Sequence, residues 1–266
     1  MAMLYFTIND TITTKTLESI SSVTTAHKNE SPIIVGGMAV QFHCKDSPDF
    51  LRPTSDVDIM YTPQIPNYNS FNTGIGGTLM SFLKNSGYQV QLKKVKDRTL
   101  YEVKIMNGQG AKAKELFFIH FDQISPDKIS NAPHIIDRET ANALEEEYIG
   151  KKLYIQRIED IIPHKIKRIR KNMKITNDSS SLEKSLYEAA ESGIWNNLAN
   201  VPFQSWANLI TEEQNSLSKE NSPRRVKYVI NKDLYDVCLL AHKIESNPSV
   251  FNKAYFLQSK SELDSF

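Results

Sequence analysis

Polar and apolar residues follow two different rhythms in this chain: short apolar runs broken by turn residues up to about residue 150, then helix-spaced apolar stripes. Residues up to about Glu30 read as a short start and a polar helix, with Leu17 and Ile20 facing a core. Ile33 to Val35 is a short buried strand ending in Gly36-Gly37, and Met38 to Cys44 reads as a helix opened by those glycines. Val57 to Tyr61 is a second strand. Pro63, Pro66 and the Asn/Ser/Gly-rich stretch from Asn67 to Gly77 predict a loop, and Thr78 to Asn85 a helix stopped by Gly87. Three strand-like runs follow, Tyr88 to Val95, Leu100 to Met106 and Leu116 to Asp122. The Asn107-Gly108-Gln109-Gly110 turn predicts that the last two form a hairpin.

Beyond Gly150 a strand-like piece, Lys152 to Ile155, leads into helices. Ile158, Ile161, Ile162, Ile166, Ile169 and Met173 recur at helical spacing as one stripe. Pro163 fits such a helix only near its start, where N–H groups have no helical partner, so the helix is expected to begin just before it. Glu159 or Asp160 then serves as its cap. A second stripe runs from Leu182 to Leu198, and further helices are expected near Phe203 to Ile210, Lys232 to Ile244 and Val250 to Leu257. Thr176 to Ser181 and Thr211 to Pro223 read as polar connectors. The expected architecture is α/β (α+β), a mixed-sheet domain over residues 1–150 followed by a C-terminal helical bundle over 151–266.

Composition narrows the classes. Thirty-two Lys and Arg against 31 Asp and Glu remove any global electrostatic case for nucleic-acid binding, so such a case rests on local patches. The two cysteines, Cys44 and Cys238, stand far apart and outside any metal-ligand spacing, as expected of reduced thiols in a cytosolic protein. No leader-like segment opens the sequence and no apolar stretch reaches membrane-spanning length, so a soluble, cytoplasmic protein without a membrane partner is expected.

The chemistry concentrates between Ile33 and Ile59. On a strand, Asp56 and Asp58 point to one face while Val57 and Ile59 point to the other. Two adjacent carboxylates repel each other unless a cation lies between them, and Mg²⁺ is the usual solution. Gly36 and Gly37 let a backbone turn approach a bound group and present N–H donors at a helix start, where an anion is stabilised. A phosphate cradle beside a metal-binding carboxylate pair suits a nucleoside triphosphate.

Gly36, Gly37, Ala39 and His43, followed by Arg52, Asp56 and Asp58, resemble the signature of the nucleotidyltransferase superfamily that includes the polymerase-beta-like enzymes. Within it they resemble the AbiEii-type toxin nucleotidyltransferases, with a longer loop over Cys44 to Leu51. The resemblance implies two Mg²⁺ ions on Asp56, Asp58 and a third carboxylate, for which Asp122 at the end of an apolar strand is the candidate. Strand alternation places Phe118, His120 and Asp122 on one face, His120 being read as lining a pocket or packing. As alternatives, Asp122 caps the next turn and Asp56 and Asp58 are solvated acids at a strand end.

The resemblance continues at Lys165 and at Asp233. Ile158-Glu159-Asp160-Ile161-Ile162, followed by Lys165-Ile166, is similar to the motif whose lysine reaches the triphosphate, and a point charge on a long stem suits a leaving pyrophosphate. Lys167, Arg170 and Lys171 read as a solvated face, with an RNA-facing patch second. Asp233 and Asp236, on one face of the late helix, are expected to orient Lys165 or Arg168, with a helix-capping acid as the other reading. Arg52 contacts phosphate or braces the Asp56–Asp58 pair by an ion pair. The expected nucleotide-binding set is therefore Gly36, Gly37, Arg52, Lys165 and Asp233, and the catalytic set Asp56, Asp58 and Asp122. The expected activity is transfer of a nucleoside monophosphate from an NTP to a hydroxyl, an RNA end and tRNA in particular, by a toxin with an antitoxin partner or a phage-defence role. A small-molecule or protein hydroxyl as acceptor, or a catalytically silent nucleotide-binding partner, are the alternatives.

Overall fold

In a computed structural model of the chain, residues 6–27, 32–61, 68–95, 100–107, 114–123, 133–176, 202–216 and 223–264 are described. The expected stripe from Leu182 to Leu198 lies outside them. Two compact units emerge, Met1–Ala39 with Pro53–Arg157 and Val40–Arg52 with Ile158–Phe266. The first therefore ends at Arg157 rather than at Gly150, and the stretch between the glycines and the aspartates groups with the helical unit.

The first unit is built on a mixed seven-stranded sheet. Its strands are β1 (Ile33–Val35), β2 (Asp56–Tyr61), β3 (Gln89–Val95), β4 (Leu100–Asn107), β5 (Lys114–Gln123), β6 (Leu144–Tyr148) and β7 (Lys151–Ile155), in the order β3-β4-β5-β2-β1-β7-β6. β2 pairs antiparallel with β1 and parallel with β5, so the carboxylate strand is central and braced on both edges. Alternation along it is clean: Val57 and Ile59 are fully buried, while Asp56 and Asp58 are partly open. β4 and β5 pair antiparallel as the turn signal predicts, the connecting residues 108–113 lying outside the described set.

The helices α1 (Thr11–Ala26), α2 (Gly36–His43), α3 (Tyr68–Thr73), α4 (Ile75–Asn85) and α5 (Pro133–Asn142) come next in chain order. α1 packs on α4 and β7, burying Leu17, Ile20 and Val23. One expectation changes here and another is extended. Tyr68 to Gly77 is helical rather than a loop: Phe71 stacks on Tyr101, and Gly76 and Gly77 open α4 because a Cβ on them would strike Phe71 and the Asn72 carbonyl. The strand-like piece at Lys152 does lead into the helices, but as β7 it also belongs to the sheet, pairing parallel with β1 and antiparallel with β6.

The second unit contains α6 (Ile158–Thr176), α7 (Phe203–Ser216), α8 (Pro223–Ser246) and α9 (Lys253–Asp264). The predicted α6 stripe is its buried face, where Ile169 meets Ile230 and Leu234 of α8, flanked by Met173, Trp206 and Val226. Pro163 lies inside α6, five residues after its start, so one backbone hydrogen bond is given up within a well-buried face. Glu159 and Asp160 are first-turn residues rather than caps. Asp160 accepts hydrogen bonds from Tyr255 (2.9 Å) and Ser259 (2.8 Å) of α9, and Glu159 accepts one from the Asn252 N–H (2.6 Å). α8 begins at Pro223, not Lys232, since Tyr228 and Ile230 carry its buried stripe further than the polar flank implies, and α7 continues past Ile210 to Ser216. Among the described residues no helix is long and apolar enough to cross a membrane.

Candidate functional site

Four sheet strands place the candidate site of the first unit. Val35 at the end of β1 is in register with Asp58 of β2, Asp58 with His120 of β5, and His120 with Glu102 of β4. Neighbouring strands hold such a row about 5 Å apart, so its side chains meet on one face. His120 Nδ1 lies 3.3 Å from Asp58 Oδ1 and 3.6 Å from Asp56 Oδ2, and its Nε2 lies 3.2 Å from Glu102 Oε2. Thr54 donates to Asp56 Oδ1 (2.7 Å) and is itself tied to Phe6 by a pair of backbone hydrogen bonds. The two carboxylates keep side-chain exposures of 32% and 36%, enough to receive a ligand from solvent.

Burial alone would lower the basicity of His120. The hydrogen bond to Asp58 and the negative charges of Asp56, Asp58 and Glu102 outweigh it and raise the pKa to about 9. The imidazolium thus neutralises part of a strongly anionic face.

Gly36 shapes the other wall. Its φ is +67°, and a Cβ there would come within 2.8 Å of Asp58 Oδ2. The left-handed backbone alone costs a side chain roughly 1–2 kcal/mol. Gly36→Ala is therefore expected to lose about 1–3 kcal/mol of stability and to displace the Asp58 carboxylate. Urea unfolding with a divalent-ion titration checks this; unchanged ion binding would contradict the close approach. Gly37 follows in the first turn of α2, whose unpaired N–H groups are suited to an anion.

Among the described residues, Asp56, Asp58 and His120 each offer a ligand atom, all within 4.8 Å of one another, so the donor set fits a divalent cation. Asp122 is placed on β5 in register with Met60, two pairs beyond the Asp58–His120 pair, and its side chain lies outside the described residues. The group brought onto the carboxylate pair is His120, expected either to line a pocket or to pack. Glu102 was not singled out at all. The available signal was the Tyr101-Glu102-Val103-Lys104-Ile105 alternation in a hairpin partner of β5.

Arg52, Lys165 and Asp233 belong to a second cluster, within the helical unit. Arg52 does not brace Asp56 and Asp58; it makes a two-pronged contact with Asp236, Nε to Oδ1 at 2.7 Å and the terminal nitrogen to Oδ2 at 2.6 Å. Lys165, whose side chain is 4% exposed, donates to the same Asp236 oxygen at 2.6 Å and lies 3.4 Å from Asp233. Arg168 closes the array with a two-pronged contact to Asp233 from a half-exposed position. The Lys165 ammonium, expected at a triphosphate, is thus engaged by two buried carboxylates. Asp233 lies mid-helix and caps nothing.

Burial would raise the pKa of Asp236, but the charges of Arg52 and Lys165 overcome it and hold the carboxyl well below the usual range. Asp233 is lowered in the same way, burial being outweighed by the Lys165 charge and by Arg168. A depressed folded-state pKa stabilises the protein above the unfolded aspartate value and loses that contribution as pH falls towards the folded one. Stability in urea is therefore expected to hold between about pH 7 and pH 5 and to decline steeply below about pH 4. A flat profile through that range would contradict the network.

No protein-family model matches the chain, and no curated protein sequence matches it. Among solved structures, the crystal structure of an antigenic nucleotidyltransferase-like protein from Paracoccidioides brasiliensis is similar at 14% identity, covering 97% of this chain and 96% of that one with a TM-score of 0.41. The solution structure of the antibiotic-resistance factor ANT(2'')-Ia is similar at 13% identity, covering 90% of this chain and 95% of that one with a TM-score of 0.33. Likeness of this degree assigns no activity to this chain.

Proposed function

We propose that the chain is a divalent-metal-dependent nucleotidyltransferase whose reacting face is the Asp56–Asp58–His120 surface of the sheet. The observation that carries the reading is the convergence of two part-exposed carboxylates and an imidazole directly against Gly36. Asp56 and Asp58 would hold the metal, with Mg²⁺ expected from the resemblance and Asp122 kept as the third carboxylate. When bound, the metal polarises the phosphoryl oxygens and offsets the charge that builds on them. Gly36 and Gly37 offer backbone N–H groups to the phosphates. Thr54 and His120 hold the carboxylates in place, so the face is organised before substrate arrives. In the reaction a hydroxyl oxygen attacks the α-phosphorus, the bond from that phosphorus to the β-phosphate oxygen breaks, and pyrophosphate leaves with the electron pair. The hydroxyl proton passes to a carboxylate of this face.

The acceptor is proposed to be an RNA end, with tRNA first, in a toxin or phage-defence setting with an antitoxin partner. The resemblance supports this, as do the exposed Lys171, Arg224, Arg225 and Lys227 on α6 and α8. Lys165, Arg52 and Asp233 enter the proposal as the array that orders the helical unit. The test is incubation of the purified chain with Mg²⁺, each of the four α-labelled triphosphates and total cellular RNA. Label in a tRNA-sized band, weakening as salt rises, is expected. Label confined to small molecules or to protein would move the acceptor to those classes, and bound nucleotide that is never consumed would mark a silent binding protein.

A further inference from the structure

We infer that His120 is itself a ligand of the metal through Nδ1, that Glu102 is the residue positioning it, and that this centre consequently prefers Mn²⁺ to Mg²⁺. The inference rests on the metal-dependent reading above and deepens it. Asp58, His120 and Glu102 lie in one row across three paired strands, β2, β5 and β4, so their spacing is set by backbone hydrogen bonds and not by loops. The two ring nitrogens are engaged on opposite sides: Nδ1 faces the Asp56 and Asp58 carboxylates, and Nε2 faces Glu102 at 3.2 Å. In the metal-free chain Nδ1–H faces the Asp58 carboxylate; a metal held at Nδ1 would take the place of that proton and leave a neutral ring whose Nε2–H is donated to Glu102. That is the carboxylate–histidine–metal arrangement by which outer partners fix a ligand imidazole. Glu102 is in turn anchored by Lys104 (3.5 Å), and the Phe118 ring lies nearly parallel to the imidazole (25°, centroids 6.0 Å), which limits its rotation.

The distances suit a shared ion. Neighbouring ligands on a cation bound at about 2.1 Å are roughly 3 Å apart in octahedral geometry. The Nδ1 separations of 3.3 Å and 3.6 Å from the carboxylate oxygens need only a small contraction. The donor chemistry then discriminates. Mg²⁺ is a hard ion that takes oxygen ligands and keeps its waters, whereas imidazole adds affinity for first-row transition ions, beginning with Mn²⁺.

The experiment is a titration of the intact, metal-stripped chain with Mn²⁺ and with Mg²⁺, followed by pulsed electron paramagnetic resonance of the Mn²⁺ complex. A hyperfine coupling from one directly bound nitrogen is expected in the wild-type chain, with Mn²⁺ bound about tenfold or more tighter than Mg²⁺. His120→Asn should lose the nitrogen coupling and most of that preference. Glu102→Ala should weaken Mn²⁺ binding about 10–100-fold, and Glu102→Gln, which can still accept from Nε2–H, should recover much of it. Bound Mn²⁺ without a nitrogen coupling would overturn the inference, as would equal affinity for the two ions. If α-label transfer proceeds while the nitrogen coupling is absent, the inference falls and the transferase reading stands. A nitrogen coupling in a chain that transfers nothing gives the reverse.

Discussion

Replacing Asp58 with asparagine is expected to abolish nucleotide transfer while leaving the fold intact. Asp58 is the carboxylate on which three features converge: Gly36 abuts its Oδ2, His120 Nδ1 faces its Oδ1, and Asp56 stands two residues away on the same strand face. Asparagine keeps the volume and one acceptor oxygen, so β2 retains its register with β1 and β5 through the backbone. What is lost is a negative charge at the place where a metal would be held. Metal stabilisation of phosphoryl charge is worth several kcal/mol, and each 1.36 kcal/mol is tenfold in rate. The expected drop is therefore on the order of 10³-fold in the rate of α-label incorporation. Circular dichroism and urea unfolding should show the fold retained, because the relief of Asp56–Asp58 repulsion offsets the loss of the His120–Asp58 ion pair. Activity within about tenfold of wild type would contradict the assignment.

The second large effect is on stability. Asp236→Ala is expected to cost about 3–5 kcal/mol and to lower Tm on the order of 10 °C. Asp236 is 1% exposed in its side chain and receives both Arg52, at 2.6 Å, and Lys165, at the same distance. Removing it leaves two cations inside the helical unit, with Asp233 already shared between Lys165 and Arg168. An unpaired buried charge is costlier than the pair is stabilising, so the second change discriminates. Adding Arg52→Met to Asp236→Ala should restore part of the loss, because one stranded charge is replaced by an apolar side chain of similar length. Urea unfolding of the single and double variants measures both. A single variant within about 1 kcal/mol of wild type would mean that the array contributes little to folding.

Much of the site was legible because its requirements are local. A strand, two glycines and a helix, then two acids on alternate strand positions, can be read from Ile33 to Ile59 without tertiary information, and β2 shows the alternation as expected. The α6 stripe was legible for the same reason, being periodic over five turns. Register was less accessible. Glu102 meets His120 only because β4 pairs with β5 in one register of several that the turn would allow, and a slip of one residue would turn Glu102 away. Composition misled at two places. Gly76 and Gly77 read as loop residues, yet they serve the close contact between α3 and α4. The β6–β7 hairpin turns through Ile149 (φ 51°) and Gly150 (φ 69°), and a β-branched residue at positive φ carries none of the usual hairpin signal. Arg52 went to the wrong carboxylate because its partner lies in α8, far along the chain, where sequence spacing says nothing.

The most direct test of the central claim compares two labels in one reaction. The chain is incubated with divalent metal, acceptor RNA and a triphosphate labelled either at the α or at the γ phosphorus, with Asp58→Asn as control. Nucleotidyl transfer at the Asp56–Asp58–His120 face predicts α-label in the acceptor, γ-label in pyrophosphate, and neither with the variant. γ-Label in the acceptor, or α-label transfer that survives in the variant, would contradict it.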